Sequence, residues 1–144
     1  MAQQLTLRVK NSFADIPAAN AAVSRWLGEH QASPAADYFA NLAIEEIVTN
    51  CIKYGYDDAA EHSIQIDLEL SARRLTVTVT DDGHPFNLLE LPTPDTTQPV
   101  EDRSIGGLGI HLLRKMADQI EYVRTAGRNR VTLQKTLGGG AGTA

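Results

Sequence analysis

Cysteine is nearly absent from this chain of 144 residues: Cys51 is the only one. A single thiol closes no intrachain disulfide, so the fold has to rest on its apolar core, and this cysteine usage points to a reducing, cytoplasmic setting. Long apolar runs are lacking too. No stretch reaches the roughly 18 consecutive apolar residues of a membrane-spanning helix, and Met1-Ala2-Gln3-Gln4 does not open a signal peptide, so neither a membrane nor secretion is expected. Positive charge is scarce: 13 Lys and Arg stand against 18 Asp and Glu, a net charge of −5, which argues against direct binding of nucleic acid or of an anionic lipid surface. What is present suffices for one ordinary globular domain. A chain near ~150 residues buries roughly two-thirds of the surface its unfolded form exposes, without staples. Residues 1–137 read as that single domain, and the Gly-rich stretch 138–144, with little to bury, reads as a flexible tail.

Periodicity gives the elements. Leu5, Leu7 and Val9 alternate with polar neighbours as a first short strand. Asp15 is placed to cap a helix begun near Pro17 that carries Val23, Trp26 and Leu27 inward, and Ser33-Pro34 has the cap-then-proline order of a second, longer helix. Ile64, Ile66, Leu68 and Leu70, then Leu75, Val77 and Val79, alternate as two strands joined tightly at Ser71 to Arg74, an antiparallel hairpin. Between Asp81 and Ser104 the pattern dissolves around Pro92, Pro94 and Pro99, a stretch long enough to be a functional loop or lid. A third helix follows from the Gly106-Gly107-Leu108-Gly109 run. Two strands near Ile120–Arg124 and Arg130–Leu137, turning around Gly127-Arg128-Asn129, close the chain. The order is βααββαββ, an α/β (α+β) two-layer sandwich with a mixed, mostly antiparallel sheet and helices on one face.

Three segments carry candidate chemistry. On the second helix, Ile44, Ile47, Val48, Cys51 and Ile52 make an apolar stripe, with Cys51 a core residue, and Glu46, Asn50 and Lys53 gather on the opposite face. After the fifth element come Asp81-Asp82-Gly83-His84-Pro85-Phe86; an aspartate at a strand end accepts a hydrogen bond from an exocyclic amine, and a glycine two residues on lets a flat ring approach the backbone. In the third segment, glycines entering a helix expose free backbone N–H groups at its positive end, an arrangement that takes phosphate. It is not a P-loop, since no Gly-Lys-Ser/Thr is present. None of the four histidines has zinc-ligand spacing.

Taken together and in this order, the segments resemble the GHKL, or Bergerat-fold, ATP-binding family: Glu46-x-x-x-Asn50 is similar to its N box, Asp81-x-Gly83-x-Pro85-Phe86 to its first glycine box, and Gly106-Gly107-x-Gly109 to its second. The resemblance runs from Ala36 to about Leu137 and, within the family, is greatest to the bacterial anti-sigma-factor serine/threonine kinases. Asn50-x-x-Lys53-Tyr54 departs from that subfamily, where a histidine often stands at the Tyr54 position, and resembles sensor histidine kinases.

The resemblance implies a set of roles. Asp81 receives the adenine amine, Gly83 floors the base, and Gly106, Gly107 and Gly109 offer N–H groups to the phosphates of ATP. Asn50 holds Mg²⁺, Lys53 and Arg103 add charge near the phosphates, Thr132 sits beside the adenine, and Glu46 is the catalytic base toward a serine or threonine hydroxyl. It further implies a cytoplasmic, homodimeric kinase that phosphorylates an anti-anti-sigma protein and sequesters a sigma factor. Two alternatives share the same segments: an ATP-dependent binding module without phosphate transfer, and a stand-alone catalytic domain of histidine-kinase type.

Overall fold

A computed structural model describes residues 2–90 and 107–138. In chain order it has β1 (Gln3–Lys10), α1 (Ile16–Glu29), α2 (Pro34–Tyr54), β2 (Ser63–Leu70), β3 (Arg74–Asp81), α3 (Gly107–Met116), β4 (Gln119–Thr125) and β5 (Arg128–Thr136). This is the expected βααββαββ order. The strands form one five-stranded sheet in the order β1-β2-β3-β5-β4, and every neighbouring pair is antiparallel. The sheet is thus wholly antiparallel among the described residues, in line with the mostly antiparallel sheet expected.

Alternation decides which face each strand presents. Ile64, Ile66, Leu68 and Leu70 of β2 and Leu75, Val77 and Val79 of β3 are buried, whereas Gln65, Asp67, Thr76 and Thr78 between them are only partly covered. The apolar face receives α1 and α2, with Val23, Leu27, Phe39, Ala40, Ala43, Ile44 and Ile47 all at or near zero exposure. Small residues at positions 36, 40 and 43 let α2 lie close to its neighbours. It packs against α1, α3 and β3, so it runs through the middle of the helical layer. The opposite sheet face is polar; there Thr6 donates to Asp67 at 2.7 Å across β1 and β2.

The two helix starts differ in a way the sequence concealed. Ser33 caps α2 as expected, its hydroxyl accepting from Ala36 N at 3.2 Å, with Pro34 in the first turn. Asp15 precedes α1 but makes no side-chain cap. Its carboxylate instead accepts from Lys10 N at 2.9 Å, tying the end of β1 to the start of α1. A competing donor from the preceding strand takes the oxygen that would have capped.

The last hairpin turns earlier than its glycine and asparagine suggest. Ala126 and Gly127 both have positive φ, +54° and +76°, and Thr125 pairs with Arg128. This is the two-residue turn that matches strand twist, and it leaves Arg128 and Asn129 inside β5 rather than in the connection. The shift by one step determines what faces the site.

Replacing Ser33 with alanine removes an N-cap from the longest helix. Ser33→Ala is expected to lower unfolding stability by about 1 kcal/mol in urea titration, with no change in the denaturant slope.

Candidate functional site

The C-terminal end of β3 carries a buried acid. Asp81 is 5% exposed, and three donors meet its carboxylate. Gly83 N donates to Oδ1 at 2.8 Å, Asn129 Nδ2 donates to Oδ1 at 3.0 Å, and the Cys51 thiol donates to Oδ2 at 3.2 Å. A carboxylate out of water requires such donors, because an unpaired one would lose its hydration without replacement. Burial, and then the Asp81 charge, push the Cys51 thiol well above its ordinary range, so at neutral pH it remains a protonated donor.

Asp81 lines a small cavity together with Ile47, Asn50, Cys51, Gly55, Phe86, Leu88, Asn129 and Val131. Its walls are largely apolar with a few convergent polar groups, the usual make-up of a small-molecule pocket. Asn50 was expected on the face of α2 opposite the apolar stripe, but it is 1% exposed: at about 3.6 residues per turn it lies only about 20° from Ala43 and about 60° from Ile47, both buried, so it flanks the packed face of the helix. Its Nδ2 donates to the Glu46 carbonyl at 2.7 Å, and its Oδ1 has no hydrogen-bond partner among the described residues. An orphaned amide oxygen on a cavity wall is costly unless something binds it.

Glu46 lies one turn before Asn50 and is half-buried, while its neighbour Glu45 is exposed. Burial raises the Glu46 pKa above the ordinary carboxylate value; the Glu45 charge adds to the rise and Lys53 opposes it. Lys53 is therefore close enough to be felt. Across from Glu46 stands Gly109, in the first turn of α3, and a Cβ built there would overlap the Glu46 carboxylate. Gly107 starts the same helix. Gly106 and Arg103 fall outside the described residues, as does the 91–105 part of the expected lid.

The turn after Asp81 is braced from several sides. A Cβ at Gly83 would press on the Gly55 carbonyl, so the glycine is required by close passage of the α2–β2 connection, a packing cause the sequence reading did not include. Arg124 Nη1 donates to Gly83 O at 2.7 Å, and His84 N donates to Gly55 O at 2.7 Å. Asp82 faces outward: Tyr56 OH donates to it at 3.3 Å, and His62, stacked on Tyr56 at 4.3 Å between ring centroids, lies between Asp82 and Asp58. Asp81 and Asp82 thus point to different environments, one buried and one exposed.

Thr132 is not at this cavity. It pairs with Thr78, and the two hydroxyls meet at 3.5 Å on the polar face of the sheet, away from the helices. Strand alternation puts Asn129, Val131 and Leu133 on the inner face instead. Asn129, opposite Asp81 in the register, was missed because Gly-Arg-Asn reads as a turn. It is 3% exposed and fully engaged: Nδ2 also donates to His84 O at 2.7 Å, while Oδ1 accepts from Tyr122 OH at 2.5 Å and Phe86 N at 3.4 Å. The signal that could have found it is the pair of residues before it, Ala126-Gly127, as a complete two-residue turn.

A one-sided antiparallel sheet with this cavity between α2 and the end of β3 defines the class of protein. The family model of the histidine kinase-like ATPase domain matches residues 9–135, and the chain belongs to that family. Among curated proteins, it is 28% identical over 90 residues to the serine-protein kinase RsbW of Halalkalibacterium halodurans, covering 60% of this chain and 54% of that one. It is 29% identical over 113 residues to the anti-sigma F factor of Thermoanaerobacter sp., covering 75% of this chain and 77% of that one. The serine/threonine-protein kinase BtrW of Bordetella bronchiseptica is 23% identical over 92 residues, with 64% and 65% covered. The chain thus spans a little over half the length of that RsbW and just under two thirds of BtrW. Among solved structures, the RsbU and RsbW domains of a Mycobacterium tuberculosis protein share the fold, with a TM-score of 0.62, 15% identity, and 92% of this chain and 32% of that chain covered.

Asn129 joins β5, the 84–86 segment and β4 around Asp81. Asn129→Ala leaves Asp81 Oδ1 short of a donor and removes the acceptor of the part-buried Tyr122 hydroxyl, so a loss of about 1–3 kcal/mol is expected in chemical denaturation, whereas Thr132→Ala should change stability by less than about 1 kcal/mol.

Proposed function

We propose that the chain is an ATP-dependent serine/threonine protein kinase of the anti-sigma-factor type, binding the nucleotide in the Asp81 cavity. The observation that carries this reading is the convergence on one cavity of a buried carboxylate at a strand end and an orphaned amide oxygen on α2. Membership of the histidine kinase-like ATPase family and likeness to RsbW and an anti-sigma F factor support it.

In this reading Asp81 accepts the exocyclic amine of adenine on the carboxylate oxygen that is least occupied, and Phe86 and Ile47 supply apolar contact to the ring. The first turn of α3, at Gly107 and Gly109, offers its backbone N–H groups to the phosphates. The donor set fits Mg²⁺: a neutral, hard, unpartnered Asn50 oxygen suits a cation that takes few protein ligands and otherwise binds phosphate and water. Bound there, the cation would neutralise charge on the phosphates. Lys53, and Arg103 by its place in the sequence, add further positive charge.

Glu46 is the base. Its raised pKa makes it a better proton acceptor than a solvated glutamate, and the absence of a Cβ at Gly109 gives its carboxylate room. It takes the proton of a serine or threonine hydroxyl as that oxygen bonds to the γ-phosphorus of ATP and the bond to the bridging β-phosphate oxygen breaks, leaving ADP. Positioning and electrostatics carry most of such a transfer, so one placed carboxylate is enough machinery. By its family likeness the acceptor is an anti-anti-sigma protein, and the nucleotide-bound homodimer holds a sigma factor.

Glu46→Gln preserves size and polar atoms but removes the base. ATP should bind it as it binds the wild type, while phosphate transfer to serine or threonine of the partner falls by about 10²- to 10⁴-fold; Glu45→Gln, exposed one position earlier, should leave both intact. Equal transfer rates in Glu46→Gln and wild type would favour the binding module, and an acid-labile phosphohistidine product would favour the histidine-kinase type.

A further inference from the structure

We propose that Cys51 is a positioning residue for base recognition: its thiol holds Asp81 Oδ2 so that one acceptor site remains, aimed at an exocyclic amine, and thereby sets the preference for adenine over a base with a carbonyl at that place. This rests on the nucleotide reading above. It goes beyond it by assigning a role to a residue that the sequence presents only as core.

The occupancy of Asp81 is uneven. Oδ1 receives two N–H donors, Gly83 N at 2.8 Å and Asn129 Nδ2 at 3.0 Å, whereas Oδ2 receives only the Cys51 thiol at 3.2 Å. A carboxylate oxygen offers about two acceptor sites, so Oδ1 is full and Oδ2 has one left. That remaining site is where an amine has to dock. Without the thiol, Oδ2 would have two open sites on the same wall. A water in either of them can turn its lone pair or its hydrogen toward the base, so an amine and a carbonyl become nearly equivalent partners.

Cys51 is not simply filling the core. It lines the same cavity as Asn50, whose side chain is 1% exposed and whose Oδ1 is unpartnered, a second and independent sign that this wall receives a ligand. Cys51 is 9% exposed and its Sγ lies 3.2 Å from Asp81 Oδ2, a contact with a carboxylate oxygen in which the thiol is the donor, so it adds no negative charge beside the base. A hydroxyl in its place keeps a donor, while an apolar side chain of similar size keeps the packing and loses it.

The test compares ATP with inosine triphosphate, which carries a carbonyl where ATP has the amine. Affinities for both are measured by calorimetry on the full chain as wild type, Cys51→Ser, Cys51→Val and Cys51→Ala. Wild type should prefer ATP, and Cys51→Ser should keep the ratio within about 2-fold. Cys51→Val and Cys51→Ala should lose about 2- to 10-fold in ATP affinity with little change for inosine triphosphate, so the ratio narrows. Valine controls for packing, and alanine decides the matter should the valine variant fail to fold. A wild-type ratio in the variants, or an equal loss for both nucleotides, would overturn the role of Cys51 while leaving the nucleotide site standing. Failure of the wild type to bind ATP would overturn both.

Discussion

A carboxylate removed from water has to be supplied with donors, and the structure supplies Asp81 with three from three different parts of the chain. Gly83 belongs to the turn that follows, Asn129 to the neighbouring strand β5, and Cys51 to helix α2. Each donor is fixed by something else. Asn129 is held by Tyr122 and by the 84–86 backbone, Gly83 by Arg124 and by its close passage to Gly55, and Cys51 by the buried stripe of α2. The sheet, the central helix and the turn after β3 therefore converge on one side chain. A polar network this enclosed is worth keeping only when all its members are satisfied, and here Asn50 Oδ1 is the exception among the polar atoms lining the cavity.

That exception gives the site its direction. In a folded chain an unpartnered buried oxygen is a free-energy cost of about 1–3 kcal/mol unless a ligand or ion relieves it. Asn50 sits one turn from Glu46, and Glu46 in turn presses against Gly109 at the start of α3. Helix α2 thus links the cavity wall to the first turn of α3. A larger residue than glycine at position 109 would displace the Glu46 carboxylate, which burial makes more basic.

Much of this was legible in the residues. Strict alternation over Ile64–Leu70 and Leu75–Val79 fixed the central hairpin, and Ser33-Pro34 marked the start of α2. The family resemblance implied one site for Glu46, Asn50 and Asp81, and Asn50 and Asp81 line one cavity. What was not legible depended on contacts between distant segments. Asn50 is buried because it flanks the packed face of α2, about 20° from Ala43 and about 60° from Ile47, a position its polar side chain concealed. Asp15 is diverted from capping by a strand donor. Thr132 faces away because it alternates with the buried Val131 and Leu133, whereas Asn129 joins the inner face because the turn closes at Ala126-Gly127 and leaves it within β5.

The central claim is that Asp81, and not its neighbour, receives a nucleotide base. Calorimetric titration of Mg²⁺-ATP into the wild type, Asp81→Ala and Asp82→Ala tests it most directly. The account predicts saturable binding to the wild type, affinity in Asp82→Ala within about 2-fold of it, and a loss of at least about 10-fold in Asp81→Ala, since the substitution deletes a charged hydrogen-bond acceptor. Equal losses at the two positions, or no heat of binding to the wild type at millimolar nucleotide, would contradict it.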